Sequence, residues 1–223
     1  MKKSNNINHI KLQFPELEQI NSESGRLYRT LNGNEYPSIT TVLSKTSDNT
    51  WLEKWKARIG EKEAEKISKY SAIRGTALHS YCEDYLNNIE PIVDILDVEA
   101  FNSFKKVLPN INNIYAMENR LYSDKFETAG TTDLIAEYEG IISVIDWKTS
   151  RRVKNKSQIS NYFIQCVFYA LAFYEMFRIP ISQIVIVMYV DDCIDPIVFK
   201  ENVKDWVEEF IKVRKQFKNQ EGY

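Results

Sequence analysis

The 223-residue chain carries only 7 glycines, 6 prolines and 3 cysteines, and each scarcity removes a class of protein. So little Gly and Pro excludes a collagen-like or low-complexity chain. Cys82, Cys166 and Cys193 stand far apart with no Cys-x-x-Cys pair, which argues against a disulfide framework and against zinc or iron–sulfur sites built from four thiolates. They read as reduced, buried thiols. Long apolar runs are missing as well. Cys166 to Tyr174 and Ile184 to Val190 are the longest, far short of the roughly 18 residues of a membrane span. No membrane partner is expected.

An excess of one charge is also lacking. Against 29 Lys and Arg stand 31 Asp and Glu, a formal net charge of −2, so a polycationic binder is excluded and any nucleic-acid site has to be local. The N-terminus has neither the apolar core of a secretory signal nor the Arg-rich pattern of an organellar presequence. The expected location is the cytoplasm. Usage rich in Lys, Asn and Ile is compatible with a bacterium or a phage-infected cell.

What is present is the balance of a globular protein, 43% hydrophobic and 27% charged. Leu12, Phe14, Leu17 and Ile20 suggest a short lead-in element. Asn32-Gly33 between 26–31 and 35–37 predicts a hairpin with a type I′ turn. Ser38 is placed to cap a helix through Ser44, and Asp48 or Thr50 to cap one carrying Trp51, Leu52 and Trp55. From Gly60 to Asn88 the period stays helical, with a break or bend expected near Ser71 or Gly75. Asp97 to Val107 reads as a helix stopped by Pro109, after an irregular connection from Asn88. The period then changes to that of strands over 115–122, 127–138 and 141–147, the last two joined at Glu139-Gly140. A basic loop, 149–156, leads into an apolar helix ending at Phe177. Strands over 184–190 and 194–199 and a charged helix over 202–218 complete the chain. The acidic run Asp191, Asp192 and Asp195 reads as a turn rather than a metal site.

The chemistry concentrates at Gly130-Thr131-Thr132-Asp133 and Val144-Ile145-Asp146-Trp147-Lys148-Thr149. Strand side chains alternate, so Asp146 and Lys148 share one face, Trp147 takes the other, and Asp133 can join the first pair across the hairpin. Two carboxylates with the Trp147 backbone carbonyl make a hard oxygen site suited to Mg²⁺ or Mn²⁺, and Lys148 beside it can orient a water or stabilise phosphate charge. A surface salt-bridge group is the plain alternative. Against it, both carboxylates flank core-strand residues, where unpaired charge is costly.

At these residues the chain resembles the PD-(D/E)xK nuclease superfamily, in the RecB-like exonuclease branch that includes phage exonucleases and mitochondrial genome-maintenance exonucleases. Four blocks spanning 36–169 carry the resemblance: Tyr36-Pro37-Ser38-Ile39-Thr40-Thr41-Val42-Leu43; Arg74-Gly75-Thr76-Ala77-Leu78-His79 with Glu83; the Asp133 and Asp146-Trp147-Lys148 pair; and Gln165 with Tyr169. It implies an α/β fold of restriction-endonuclease type, a mixed central sheet flanked by helices after a helical N-terminal section. One nuclease domain over 1–223 is expected, with a hairpin and helical section at 26–110 and the catalytic core at 111–223. Asp133 and Asp146 would ligate metal, His79 would add a contact, and Lys148 would be the catalytic lysine. Glu83, four residues from His79 on one helix face, is either a further ligand or an ordinary surface carboxylate. Gln165 and Tyr169 would face the site, although Tyr169 also fits a core position on so apolar a helix.

The resemblance implies DNA as partner and a helical section, 50–108, forming an opening that a single strand threads. Arg151, Arg152, Lys154 and Lys156, free of acidic neighbours, form a phosphate-clamping loop candidate. Lys54 to Arg74, with Trp51 and Trp55, is a second candidate, or a solvated amphipathic helix. The iron–sulfur cysteines of some relatives and any Walker P-loop are absent, so neither a cluster nor ATP is expected. The expected activity is end-dependent DNA hydrolysis. A structure-specific endonuclease and a noncatalytic DNA-end-binding recombination protein are the rivals.

Overall fold

The structure, a computed structural model, describes residues 7–191 and 193–221. Asp192 of the acidic turn lies outside the described residues. A small antiparallel sheet opens the chain: β1 (Glu18–Ser22), β2 (Gly25–Arg29) and β3 (Glu35–Pro37). β1 was not legible as a strand, since its side chains are half-buried or exposed and carry no clean alternation. The expected hairpin exists, but its turn is not type I′. Thr30 and Asn34 close a wider loop through Thr30 N–H to Asn34 O (2.9 Å), and Gly33 alone takes a positive φ, 83°.

Four helices precede the main sheet. α1 (Ile39–Thr46) starts at Ser38, whose side chain accepts from Thr41 N–H, as its position as a capping residue predicts. α2 is Thr50–Ile59, and Asp48 accepts from Thr50 N–H (2.9 Å) just ahead of it. α3 runs unbroken from Glu61 to Leu86. The break expected near Ser71 or Gly75 does not occur, because an isolated helix-interior glycine costs only about 1 kcal/mol and the surrounding turns remain hydrogen-bonded. α4 (Val98–Lys105) buries Ala100, Phe101 and Phe104.

The five-stranded sheet is ordered β4-β5-β6-β7-β8: β4 (Ile111–Ser123), β5 (Thr128–Tyr138), β6 (Ile141–Ser150), β7 (Gln183–Val190) and β8 (Ile197–Asn202). Only β6 and β7 pair in parallel, because α5 (Ser160–Phe177) provides the crossover that a parallel pair requires. The type I′ geometry appears between β5 and β6, where Glu139 and Gly140 both take positive φ (53° and 81°) and Tyr138 pairs with Ile141. α6 (Val207–Glu221) closes the chain.

Alternation along the strands gives the sheet two cores. Ile135, Val144 and Ile186 face α5, with Phe163, Phe168 and Phe173. Leu134, Ile145, Trp147 and Val187 face α3 and α4, with Leu78, Cys82 and Phe104. Trp147 therefore does point away from Asp146 and Lys148. Cys82 and Cys166 are buried, whereas Cys193 is only half-buried. No helix among the described residues is long and apolar enough to cross a membrane.

Candidate active site

β5 and β6 pair only from Leu134↔Ile145 to Tyr138↔Ile141. Beyond Leu134 they part, while β6 continues along β7 to Ser150. The fork leaves the Trp147 peptide groups without a strand partner, and side chains take them instead. Trp147 N–H donates to Asp133 Oδ2 (3.1 Å), and its carbonyl accepts from His79 Nε2 (3.0 Å). A carbonyl oxygen only accepts, so Nε2 carries the proton. Nδ1 is thereby turned toward Asp133 Oδ2 (3.5 Å) and Glu118 Oε1 (3.9 Å). Burial opposes charge on this imidazole, yet Asp133 and then Glu118 outweigh it and hold His79 up to about 9.

Behind this group, Lys148 Nζ forms an ion pair with Asp146 Oδ2. Asp146 is 1% exposed, and among the described residues its Oδ1 has no hydrogen-bond partner. Burial keeps its proton affinity above the ordinary carboxylate range, against the pull of Lys148. Burial also opposes charge on Lys148, but Asp146 and Asp133 together raise its affinity for a proton. On α5, Gln165 Nε2 donates to Tyr169 Oη (3.2 Å). Tyr169 is buried, and burial raises its hydroxyl well above the usual tyrosine range. It reaches the fork only because Gly130 lacks a side chain: a Cβ there would lie 2.9 Å from Tyr169 Cε1. His79, Glu118, Asp133, Gln165 and Tyr169 line one cleft of about 210 Å³, walled opposite by Tyr28.

Glu118 is the residue that sequence reasoning missed. His79, Glu118 and Asp133 bring ligand atoms within 4.8 Å of one another. The signal was register: Met117 pairs with Leu134 and Asn119 with Thr132, which sets Glu118 across from Asp133. Glu83 stands outside that group, half-buried, its carboxyl raised by burial and then by Glu118. Among the basic candidates, Arg151 and Arg152 are exposed with no ion-pair partner among the described residues. Lys154 reaches Tyr162 Oη (3.5 Å), and Lys156 is paired with Glu201 (2.6 Å). Arg74 is committed elsewhere. Its Nη1 meets Asp191 (2.8 Å), its Nε lies 3.8 Å from Asp97, and its guanidinium stacks on Tyr189. Asp195 pairs with Lys106 (2.5 Å).

The segment that holds Asp133, Asp146 and Lys148 matches a known family. The family model of the PD-(D/E)XK nuclease superfamily matches residues 43–190. This chain belongs to that superfamily. Its PD-(D/E)XK stretch reads Thr132-Asp133 and Asp146-Trp147-Lys148, with threonine where the superfamily's name has proline. Human mitochondrial genome maintenance exonuclease 1 is 29% identical over 135 residues, covering 56% of this chain and 39% of the human protein. The mouse protein of the same name is 28% identical over 143 residues, covering 60% and 42%. The chain thus spans about two fifths of the length of these relatives. Among solved structures, one described as a candidate exonuclease from Eubacterium rectale overlaps 66% of this chain and 64% of its own, with TM-score 0.47 and 11% identity, a slight likeness.

PD-(D/E)XK nucleases generally use divalent metals, and the donor set here fits one. It groups an imidazole nitrogen with the Glu118 and Asp133 carboxylates, beside a buried Asp146 whose Oδ1 has no hydrogen-bond donor among the described residues. Hard carboxylate oxygens joined by one imidazole nitrogen suit a divalent cation, and the group contains none of the thiolates of an iron–sulfur site.

Proposed function

We propose that this protein is a divalent-metal-dependent DNA exonuclease that hydrolyses phosphodiester bonds, with preference for single-stranded ends. The observation that carries the reading is the convergence of Asp133 and His79 on the Trp147 N–H and carbonyl at the β5–β6 fork, with Asp146 and Lys148, paired to each other, on either side of Trp147. The relatives' name, mitochondrial genome maintenance exonuclease 1, supports DNA and end-dependence. In this reading residues 1–223 act as one nuclease domain in the cytoplasm of a bacterial or phage-infected cell, without ATP.

Asp133, Asp146, His79 and Glu118 would hold Mg²⁺ or Mn²⁺, which when bound polarises a phosphate and acidifies a water. The chain's own groups do the rest. Lys148, kept protonated by Asp146 and Asp133, presents positive charge where phosphate charge builds. His79, fixed by the Trp147 carbonyl, cannot rotate its Nδ1 away from Asp133. The Gln165 amide and the Tyr169 hydroxyl line the cleft and orient the strand. Arg151 and Arg152 leave the end of β6 exposed and unpaired, suited to bidentate phosphate contacts.

The test is digestion of end-labelled linear single strands, linear duplex and circular single strands in Mg²⁺ or Mn²⁺ without ATP, with Lys148→Ala alongside. Loss of linear substrates alone, abolished in the variant, is the expected result. Cut circles would assign an endonuclease instead. No cleavage with either ion would assign a noncatalytic end-binding protein.

A further inference from the structure

The catalytic lysine candidate has few things holding it. Lys148 sits on a flexible four-carbon stem. Among the described residues its ammonium makes one ion pair, with Asp146, and lies 5.0 Å from the centroid of the Tyr162 ring. Tyr162 occupies the first turn of α5. Positions 162, 165 and 169 fall on one helical stripe, so Tyr162 continues toward the basic loop the face that carries Gln165 and Tyr169. The same ring meets the loop itself. Lys154 Nζ lies 5.7 Å from its centroid and donates to its hydroxyl (3.5 Å). Tyr162 is half-buried and packs at the margin of the core that contains Phe163, Phe168 and Phe173.

We infer that Tyr162 is a positioning residue for Lys148: its ring face holds the Lys148 ammonium over the β5–β6 fork. The inference rests on the nuclease reading for its consequence in rate, but not for the contact itself. A cation within about 6 Å of an aromatic centroid is attracted by the negative ring face, most strongly where water is scarce. Lys148 is only 20% exposed in its side chain. The chemistry asks more of the ring than the resting protein does. Any cation held by Asp133 and Asp146 competes with Lys148 for Asp146, and the ring face is then the contact that keeps the ammonium in place.

The test uses Tyr162→Leu, which keeps apolar bulk and loses the ring, and Tyr162→Phe, which keeps the ring and loses the hydroxyl. The first readout is the ¹H–¹³C resonance of the Lys148 ε-methylene in metal-free protein, identified by its loss in Lys148→Ala. A ring-current upfield shift is expected in wild type and Tyr162→Phe, relaxing to the free-lysine position in Tyr162→Leu. The second is kinetics on a linear single strand: in Tyr162→Leu kcat should fall about thirtyfold, on the scale of one desolvated cation–π contact, with KM within twofold. Tyr162→Phe should restore kcat. An unshifted Lys148 methylene in wild type overturns the inference, even in a protein that cuts nothing, where the nuclease reading fails separately. So does a loss confined to KM, or a Tyr162→Phe variant as slow as Tyr162→Leu. Melting curves of both variants exclude misfolding as the cause.

Discussion

The fork between β5 and β6 and the stretch formed by α2 and the first turns of α3 obey opposite physics. At the fork, ionisable groups are buried and mutually constrained: Asp146 is 1% exposed, and each polar group of the Trp147 peptide is claimed by a side chain. In α2 no residue is buried, while Trp51 and Tyr70 stand 65% and 52% exposed. The first region holds charge where it is costly, which needs a rigid scaffold and compensating partners. The second leaves apolar rings where water can reach them, which costs a monomer little but serves contact with something else. If these rings take part in strand capture, changes in the two regions should fail in different ways.

The largest contrast is expected from Asp146→Asn. Removing one of the paired carboxylates should lower cleavage by at least about a thousandfold, measured as initial rates on a linear single strand with Mn²⁺. Isothermal calorimetry with Mn²⁺ should show the loss of affinity directly. A rate within tenfold of wild type would mean that His79, Glu118 and Asp133 suffice and that Asp146 serves only to pair Lys148. Next in size is Phe104→Ala. Phe104 is fully buried, its ring 5.4 Å from that of Trp147 beneath the fork, so truncation should cost about 3–5 kcal/mol in a denaturant melt. A cost under about 1 kcal/mol would show that the fork does not depend on the α3–α4 core behind it.

Gly130→Ala should come third. The added methyl would lie 2.9 Å from Tyr169 Cε1 and 3.2 Å from Ile39 Cγ2, an overpacking that typically costs about 1–3 kcal/mol. Tyr169 would have to move, so cleavage should drop along with the melting temperature. An unchanged rate in a destabilised variant would place Tyr169 in the core alone and remove it from the site.

The sequence made the fork legible because its determinants are local. Alternation along β5 and β6 separates Asp146 and Lys148 from Trp147, and Glu139-Gly140 sets the register that brings Asp133 alongside. Glu118 escaped because its partner is distant in the chain and the pairing of β4 with β5 contains shifts between Asn112 and Ala116, so counting residues does not yield it. The ion pairs of Arg74 escaped for a similar reason. Nothing near it in sequence announces Asp191, which reaches it from the far end of β7. The continuous α3 escaped because a glycine weakens a helix without breaking it, and only the packing of Leu78, Cys82 and Leu86 against the sheet decides the outcome.

The smallest effect on the fold is expected where the sequence left two readings open. Trp51 is 65% exposed and touches neither core, so Trp51→Ala should change stability by no more than about 0.5 kcal/mol. If the exposed ring stacks on a base, the same change should weaken single-strand binding roughly tenfold, the scale of one base–aromatic contact. Fluorescence anisotropy with a labelled single strand in EDTA measures this without cleavage. Asp146→Asn in the same assay should bind at least as well as wild type, because it removes negative charge beside the cleft. Loss of affinity at Trp51 with retention at Asp146 would establish that capture and chemistry lie in separate regions. Equal affinity for wild type and Trp51→Ala would return α2 to the plain reading of a solvated helix and leave Arg151 and Arg152 to hold the strand.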